Sequence, residues 1–297
     1  MSKLNQTILV PVGFSDQSLL ALEQAVHVAK ILKAELTLLS VIEESGFFAR
    51  VFGDNDDEVM FELKKKAQAK LEELAEDIRR KNKLDVNTLV SKGKVYQKIV
   101  EASEMIDASY IVMGTDGQPK DFQKKLIGSN AFRVVSTANC PVITIKGTEH
   151  YDGCKRIVLP LDLEKETKEK VKYAVNLGRL WNATINIVSV VASSDEEDMN
   201  RLKGTVRQVQ KYITDRGLEC NSELVVKPKG QRLVHTILDY AIEKNADLVV
   251  IMTQQELDYT PNFIGSSAQS IIYNSNIPVM SIRPIVSDKY KFELPSN

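Results

Sequence analysis

The sequence predicts an α/β protein made of two repeated domains, each with a five-stranded parallel sheet covered by helices. Three observations support this prediction. Apolar runs without polar alternation recur along the 297-residue chain, as is typical of parallel strands that are buried on both faces. Amphipathic segments with helical periodicity separate these runs. The whole pattern restarts at Arg156, which indicates a tandem repeat.

The first half alternates strands with helices. Its predicted strands are Thr7 to Val12, Glu35 to Ile42, Asp85 to Val90, Tyr110 to Met113 and Val142 to Ile145. Its predicted helices run from Ser15 or Asp16 to about Leu32, from about Glu58 to Lys81, from about Val95 to Ile106, and from Ala131 to Ser136. Because strands and helices alternate, we expect right-handed crossovers and a parallel sheet.

The second half repeats this pattern after a charged linker. The matched segments are Arg156 to Asp162 with Thr7 to Gly13, Ala183 to Val191 with Glu35 to Ile42, Ala246 to Thr253 with Ala108 to Thr115, Gly265 to Ala268 with Gly128 to Ala131, and Asn276 to Ile282 with Asn139 to Ile145. The repeat predicts a first domain over residues 1–147, a second domain over 154–285 and a polar tail over 286–297.

Composition narrows the class of protein and its partners. With 43% hydrophobic and 27% charged residues, the chain has the composition of a globular protein with full cores. Its formal net charge of -1 argues against bulk nucleic-acid binding, and no apolar run is long enough to span a bilayer. The first residues lack the apolar core of a signal peptide, and the three scattered cysteines are typical of reduced thiols. We therefore expect a cytoplasmic protein without a nucleic-acid or membrane partner.

A glycine-rich loop follows the fourth strand. The strand turns at Gly114-Thr115-Asp116-Gly117, a polar segment follows, and Gly128-Ser129-Asn130 opens the next helix. Glycine lets the backbone approach a ligand closely, and a helix N-terminus presents free N–H groups to phosphate. This chemistry suggests an anion site, most simply for a nucleotide phosphate. On spacing alone, the interpretation that these glycines only make turns is equally good.

Four motifs together resemble those of one family. They are Pro11 and Ser15 around the opening strand, Val112 to Gly117, the pair Gly128-Ser129, and Cys140-Pro141-Val142. With their repeats, these residues make nearly the whole chain resemble a tandem universal stress protein. The resemblance implies an adenine-nucleotide-hydrolase-like domain with strand order 3-2-1-4-5 that binds ATP or another adenine nucleotide. It also implies that the two fifth strands meet, so that the halves form an internal pseudo-dimer.

Strand order locates the expected site. Ligands of open parallel sheets bind beyond the carboxyl ends of the strands where the order reverses, here between strands one and four. The resemblance adds a backbone contact to adenine from the end of strand two, and phosphate contacts from the helix after the glycine loop. The expected nucleotide-binding residues are Pro11, Val12, Gly13, Val41, Met113, Gly114, Gly117, Gly128, Ser129 and Asn130. A companion magnesium ion is left open, and no catalytic or metal-ligating residue is assigned.

Each half departs from the family's nucleotide motif in a different way. In the first half, Gly13 replaces the usual aspartate, which predicts the loss of a polar or metal-mediated contact. The loop before Gly128 is also one residue longer than the family pattern. In the second half, Met252 and Gln255 replace the two leading glycines, and Glu256 adds a negative charge. We therefore expect the second half to bind nucleotide poorly or not at all.

Three functions follow from these observations. The first is an adenine-nucleotide-binding stress-response sensor or regulator that works through the first half. The second is a nucleotide-independent interaction protein with a vestigial site, which Gly13, the longer loop and the altered second half favour. The third is an enzyme, ranked last because the sequence lacks a His-rich adenylation motif, a nucleophile elbow and a Walker loop. Weak ATP hydrolysis is left open, and so is a homodimer, although an internal pseudo-dimer would already cover the fifth-strand edges.

Overall fold

A ten-stranded sheet runs through both halves of the chain. The computed structural model describes residues 6–43, 57–115, 128–146, 154–161, 168–191, 196–254 and 263–284. The strands are β1 (Thr7–Pro11), β2 (Glu35–Ile42), β3 (Val86–Lys92), β4 (Tyr110–Gly114), β5 (Val142–Ile145), β6 (Arg156–Leu161), β7 (Thr184–Val191), β8 (Cys220–Val226), β9 (Leu248–Met252) and β10 (Val279–Ile282). The helices are α1 (Asp16–Leu32), α2 (Asp57–Asn82), α3 (Val95–Met105), α4 (Ser129–Thr137), α5 (Lys168–Trp181), α6 (Glu196–Thr214), α7 (Leu233–Glu243) and α8 (Ser266–Asn274). These elements confirm the predicted alternation of strands and helices.

Strand order within each half is the order that the resemblance implies. From edge to edge, the sheet reads β3-β2-β1-β4-β5-β10-β9-β6-β7-β8. The strand pairs inside each half are parallel, as expected. The two halves meet at β5 and β10, which pair in the antiparallel sense with Ile143 opposite Met280. The two halves therefore share one continuous sheet.

Helices cover both faces of the sheet. The side chains of Ile8 and Val10 in β1 pack into the core under α1, α2, α5 and α6, whereas Leu9 packs into the core under α3, α4, α7 and α8. All three side chains are fully buried. Because consecutive side chains of β1 are buried on opposite faces, Ile8, Leu9 and Val10 are all apolar, which is the pattern that predicted a parallel sheet. Each such side chain contributes roughly 1.5–3 kcal/mol of stability through burial.

A basic residue directly after each fifth strand ties the two halves together. Lys146 Nζ donates to the carbonyl of Tyr273 in the last turn of α8, and it lies 4.4 Å from the centroid of the Tyr273 ring. In the equivalent position of the second half, Arg283 donates to the carbonyl of Thr137 at the end of α4, at 2.8 Å. Each cation thus caps the last helix of the other half at its C-terminal end, where the helix dipole favours positive charge.

The limits of the elements differ little from the predicted ones. Ser15, rather than Asp16, is the N-cap of α1, since its side chain accepts a backbone N–H of the first turn. Helix α4 begins at Ser129, slightly before its predicted start. Most of the predicted linker, residues 147–153, and the predicted tail, residues 286–297, lie outside the described residues. The domain limits therefore remain predictions.

Candidate functional site

The ends of β1 and β4 separate and open a crevice at one edge of the sheet. The two strands pair near their beginnings. Farther along, the chain remains paired with β2, since the N–H of Val12, the residue after β1, donates to the Leu39 carbonyl at 2.8 Å. In contrast, β4 remains paired with β5 to its end, where Gly114 lies opposite Ile145. The crevice therefore lies where strand order reverses, which is the position expected for a ligand of an open parallel sheet.

The turn after β1 leaves open space on the crevice side. Among the described residues, a Cβ atom added to Gly13 would meet no other atom within 4 Å. The next residue, Phe14, has a left-handed φ of 58°, a conformation that is uncommon for a bulky side chain. Lys70 Nζ from α2 lies 5.5 Å from the centroid of the Phe14 ring. The turn is thus a strained backbone segment, and Gly13, where the resemblance implies an aspartate, has room among the described residues for a larger side chain.

Gly114 at the end of β4 has a packing role of its own. A Cβ atom at this position would lie 2.8 Å from Gln17 Cγ and 2.9 Å from the Gln17 carbonyl oxygen. The Gln17 side chain also donates to the Ile145 carbonyl at 3.0 Å, which fixes the first turn of α1 against β4 and β5. Glycine is therefore needed here for helix–strand packing, whether or not a ligand binds.

The start of α4 is fixed at the edge of the crevice. The Gly128 N–H donates to the Thr115 carbonyl at 3.0 Å, and the Thr115 N–H donates to the Ile145 carbonyl at 3.0 Å. Among the described residues, no side chain caps the N-terminus of α4, and its first turn carries no acidic residue. The exposed Ser129 and the half-buried Asn130 are its first two residues. The helix N-terminus therefore offers backbone N–H groups and the positive end of its dipole.

The structure describes nine of the ten expected site residues, and Gly117 lies outside the described residues. The side chains of Val12 and Met113 are buried, at 1% and 6% exposure, and pack on opposite faces of the sheet. They can therefore reach a ligand only through backbone atoms. Val41 is half-buried at the end of β2 and packs on the same face as Met113. The described site residues therefore offer backbone polar groups at the strand ends, beside the start of α4.

The second half repeats the hydrogen bond between strand end and helix start, but it has a different residue at the end of the strand. The Gly265 N–H donates to the Thr253 carbonyl at 2.8 Å, so α8 is anchored to the end of β9 as α4 is to the end of β4. However, Met252 occupies the position of Gly114 and packs against the core with a partly buried side chain. Because a Cβ atom at this position of the first half would collide with the first turn of α1, the same close approach cannot be repeated with Met252. Asp162, Gln255 and Glu256 lie outside the described residues.

Lys170 is a residue of the second half that sequence reasoning missed. Counting from the matched Pro11 and Pro160, Lys170 stands where the first half has the fully buried Ala21. Its side chain is 6% exposed, and its Nζ donates to the Pro160 carbonyl at 2.7 Å. A buried ammonium group is thus held at the end of β6. The signal was present in the sequence, because a lysine replaces alanine within the apolar stripe of the repeated helix.

The described residues contain no candidate metal centre. Among them, no group of three or more His, Cys, Asp or Glu side chains is arranged to hold a metal ion. In the same residues, none of the helices combines the length and apolar character that crossing a membrane requires.

Cys140 is a half-buried free thiol, and burial raises its pKa to about 11. A thiol with a raised pKa is protonated near neutral pH and is a poor nucleophile.

Comparison with known proteins gives consistent matches over both halves. The sequence profile of the universal stress protein family matches residues 5–146 and again residues 153–283. Universal stress protein MJ0531 of Methanocaldococcus jannaschii is 33% identical over 147 residues, which cover 48% of this chain and 83% of that protein. Universal stress protein YxiE of Bacillus subtilis is 29% identical over 146 residues, which cover 47% of this chain and 97% of that protein. The crystal structure of a universal stress protein from Archaeoglobus fulgidus has the same fold, with a TM-score of 0.74, 22% identity, and coverage of 93% of this chain and 96% of that one.

Proposed function

Because the chain belongs to the universal stress protein family, we propose that it is a stress-response sensor or regulator that binds one adenine nucleotide in its first half. The nucleotide, ATP or a relative of it, would occupy the crevice between β1 and β4. The adenine would lie near the end of β2 at Val41, and the phosphates would face the start of α4 at Gly128, Ser129 and Asn130. In this proposal the protein acts in the cytoplasm and binds the nucleotide rather than consuming it.

The observation that carries the proposal is the fixed position of the α4 N-terminus. The Gly128 N–H bond to Thr115 joins this helix end to the strand that lines the crevice. The amides of the first turn have no side-chain cap among the described residues, so they are available to donate hydrogen bonds to a phosphate. The positive end of the helix dipole adds to this preference for an anion.

We assign the nucleotide to the first half because of the residues at the ends of β4 and β9. Gly114 leaves the end of β4 without a side chain, whereas Met252 places one at the end of β9. In the second half the ammonium group of Lys170 also donates to the end of β6. We infer that the second crevice is occupied by the chain's own side chains and does not admit a nucleotide.

Matched substitutions at the two helix starts test the proposal. Ser129→Asp and Ser266→Asp each place a carboxylate on an exposed residue at a helix N-terminus, where the dipole stabilises negative charge by about 0.3–1 kcal/mol. Neither variant should lower the melting temperature. Titration calorimetry with ATP, with and without magnesium, should give about one site per chain in the unchanged protein. Ser129→Asp should weaken binding at least about tenfold, because its charge repels a phosphate at close range.

Ser266→Asp serves as the control, since it makes the same change at the start of α8. It should leave the affinity for ATP unchanged. Equal loss in both variants would contradict the assignment to the first half. Binding that neither variant affects would contradict the placement of the phosphates.

A nucleotide-independent interaction protein is the second candidate, and the packing of Gly114 favours it. Because the approach of Gln17 already requires glycine at this position, Gly114 is not evidence for a ligand. Gly13 likewise lacks the carboxylate that the family uses in this pocket. Absence of heat with ATP, ADP and AMP at millimolar concentration, from a folded protein, would favour this candidate over the first.

A further inference from the structure

A polar pocket lies at the amino ends of β2 and β3, at the opposite end of the strands from the β1–β4 crevice. Its volume is about 340 Å³, which is within the range of small-molecule sites. The C-terminal ends of α1 and α2 flank it. The residues that line the pocket are Lys30, Lys33, Ala34, Glu35, Asn82, Lys83, Leu84 and Asp85.

Charged side chains of both signs line this pocket without bonding to one another. Within the part of the chain that the structure describes, the side chains of Lys30, Lys33, Lys83 and Asp85 form no hydrogen bond and no ion pair. All four residues are exposed, whereas Glu35 is half-buried at the start of β2. The three ammonium groups and the Asp85 carboxylate are therefore available to a ligand.

The second half closes the counterpart of this pocket with its own hydrogen bonds. The strand registers and the helix ends relate Lys30 to Arg179, Lys33 to Asn182, Glu35 to Thr184, Lys83 to Gly217 and Asp85 to Glu219. Thr184 Oγ1 donates to the Glu219 carboxylate at 2.9 Å, and Arg179 Nη2 donates to the Arg216 carbonyl at 3.4 Å. Neither bond has an equivalent among the described residues of the first half, so only that half leaves these groups open.

Two of the lysines have an uncommon backbone conformation. Lys33 and Lys83 directly follow α1 and α2, with left-handed φ values of 52° and 54°. The second half has Asn182 and Gly217 at these positions, which are the residue types that adopt this conformation most readily. The two turns therefore do not require lysine, which favours a separate role for the ammonium groups.

The mixture of charges favours a ligand that carries both signs. The lysine ammonium groups attract carboxylates. Glu35, Asp85 and the negative dipole ends of the two helices attract an ammonium group, and they oppose a simple anion. Because three positive and two negative side chains leave a net charge of +1, a ligand with a net negative charge complements the pocket.

We propose that this pocket binds an acidic α-amino acid. Its two carboxylates would contact Lys30, Lys33 and Lys83, and its ammonium group would lie between Glu35 and Asp85. A five-carbon amino acid such as glutamate is small enough for the volume of the pocket. The site is separate from the β1–β4 crevice, and its occupation does not depend on nucleotide.

Three five-carbon compounds distinguish the charges that the pocket recognises. Equilibrium dialysis with radiolabelled L-glutamate at low ionic strength should show saturable binding of about one molecule per chain. Glutarate keeps both carboxylates but lacks the ammonium group, and L-norvaline keeps the ammonium group but lacks the second carboxylate. Each should compete at least about fivefold more weakly than unlabelled glutamate. No saturable binding of glutamate, or equal competition by glutarate, would overturn the proposal.

A variant that copies the second half should remove the site. Lys33→Asn with Lys83→Gly introduces residues that suit the left-handed conformation, so the protein should stay folded. Glutamate binding should weaken at least about tenfold, because two of the three ammonium groups are lost. Lys64→Asn with Lys211→Asn is the control, since it removes the same charge from exposed positions on α2 and α6 and should leave the affinity almost unchanged. Equal loss in both double variants would overturn the proposal.

The acidic side of the pocket is tested separately. Glu35→Gln with Asp85→Asn removes both carboxylates and keeps the size of the side chains. This variant should bind glutarate at least as well as glutamate, because the ammonium group has lost its partners. A preference for glutamate that persists in this variant would overturn the ammonium contact. Melting temperatures establish that each variant is folded before its binding is compared.

Discussion

Two glycines of the β1–β4 crevice show that the same residue type serves different needs. A Cβ atom added to Gly114 would lie 2.9 Å from the Gln17 carbonyl oxygen, whereas one added to Gly13 would contact none of the described residues. The first is required by packing, and the second leaves room for a ligand or a larger side chain. A substitution at Gly114 therefore disturbs the fold as well as any binding.

Alanine at Gly114 should lower stability, whereas alanine at Gly13 should leave it almost unchanged. Gly114→Ala should lower the free energy of unfolding by about 1–3 kcal/mol, because the methyl group overpacks the contact between α1 and β4. Gly13→Ala should change it by less than about 0.5 kcal/mol. Urea unfolding followed by circular dichroism measures both variants. Equal stability of the two would contradict the packing role of Gly114.

Buried thiols and phenols should make the protein sensitive to alkaline pH. Burial raises the pKa of Cys140 to about 11, raises that of Cys220 to about 12, and raises that of Cys154 well above its ordinary value near 9. It also raises the pKa of Tyr240 to about 12. The unfolded chain therefore releases these protons at lower pH than the folded chain does. Above pH 9 the unfolded state binds fewer protons, so stability should fall as pH rises towards 12.

The loss of stability can be assigned to the thiols. Between pH 8 and pH 10 the free energy of unfolding should decrease by about 1 kcal/mol for each buried thiol, measured by urea unfolding at both values. The triple substitution of Cys140, Cys154 and Cys220 by alanine should remove this part of the pH dependence. An unchanged pH dependence in the triple variant would show that other groups cause it.

At the scale of elements, sequence patterns predict strands and helices well and their contacts poorly. The repeated pattern predicts the strands, and the inner ones are buried on both faces, whereas the edge strands β3 and β8 expose polar residues such as Asn87 and Asn221. The burial of Lys170 was missed although a lysine stands in the apolar stripe of its helix. The contact of Gln17 with Gly114 was not predicted, because it depends on how closely a helix approaches a strand that is distant in sequence. The same limit applies to the two cations that join the halves.

Removing the cations that cap α4 and α8 should weaken the junction of the two halves. Lys146→Met and Arg283→Met each remove a hydrogen bond to the last turn of the other half's final helix, and each should cost about 1 kcal/mol of stability. Thermal and urea unfolding measure the loss. Lys211→Met is the control, because its ion pair with Asp215 is solvent-exposed and should contribute little. Equal effects in all three variants would contradict a specific role for the junction.

At the scale of the whole molecule, the central strand pair has an internal symmetry. Ile143 lies opposite Met280, its equivalent in the repeat, while Thr144 faces Val279 and Val142 faces Ser281. The register is therefore centred on one pair of equivalent residues, as an interface between identical copies would be. The resemblance implied that the fifth strands meet. The register itself could not be predicted, because two apolar four-residue strands can pair in several ways.

This symmetry predicts the behaviour of the first half on its own. A protein consisting of residues 1–147 exposes the edge of β5, whose residues are all buried in the full chain. Because the register is self-complementary, this half should form an antiparallel β5–β5 dimer with Ile143 facing its own copy. Analytical ultracentrifugation should show a dimer, and Ile143→Lys should yield a monomer, since two like charges would meet at the axis. A monomer without the substitution, or a dimer that survives it, would show that the junction needs features that β10 alone supplies.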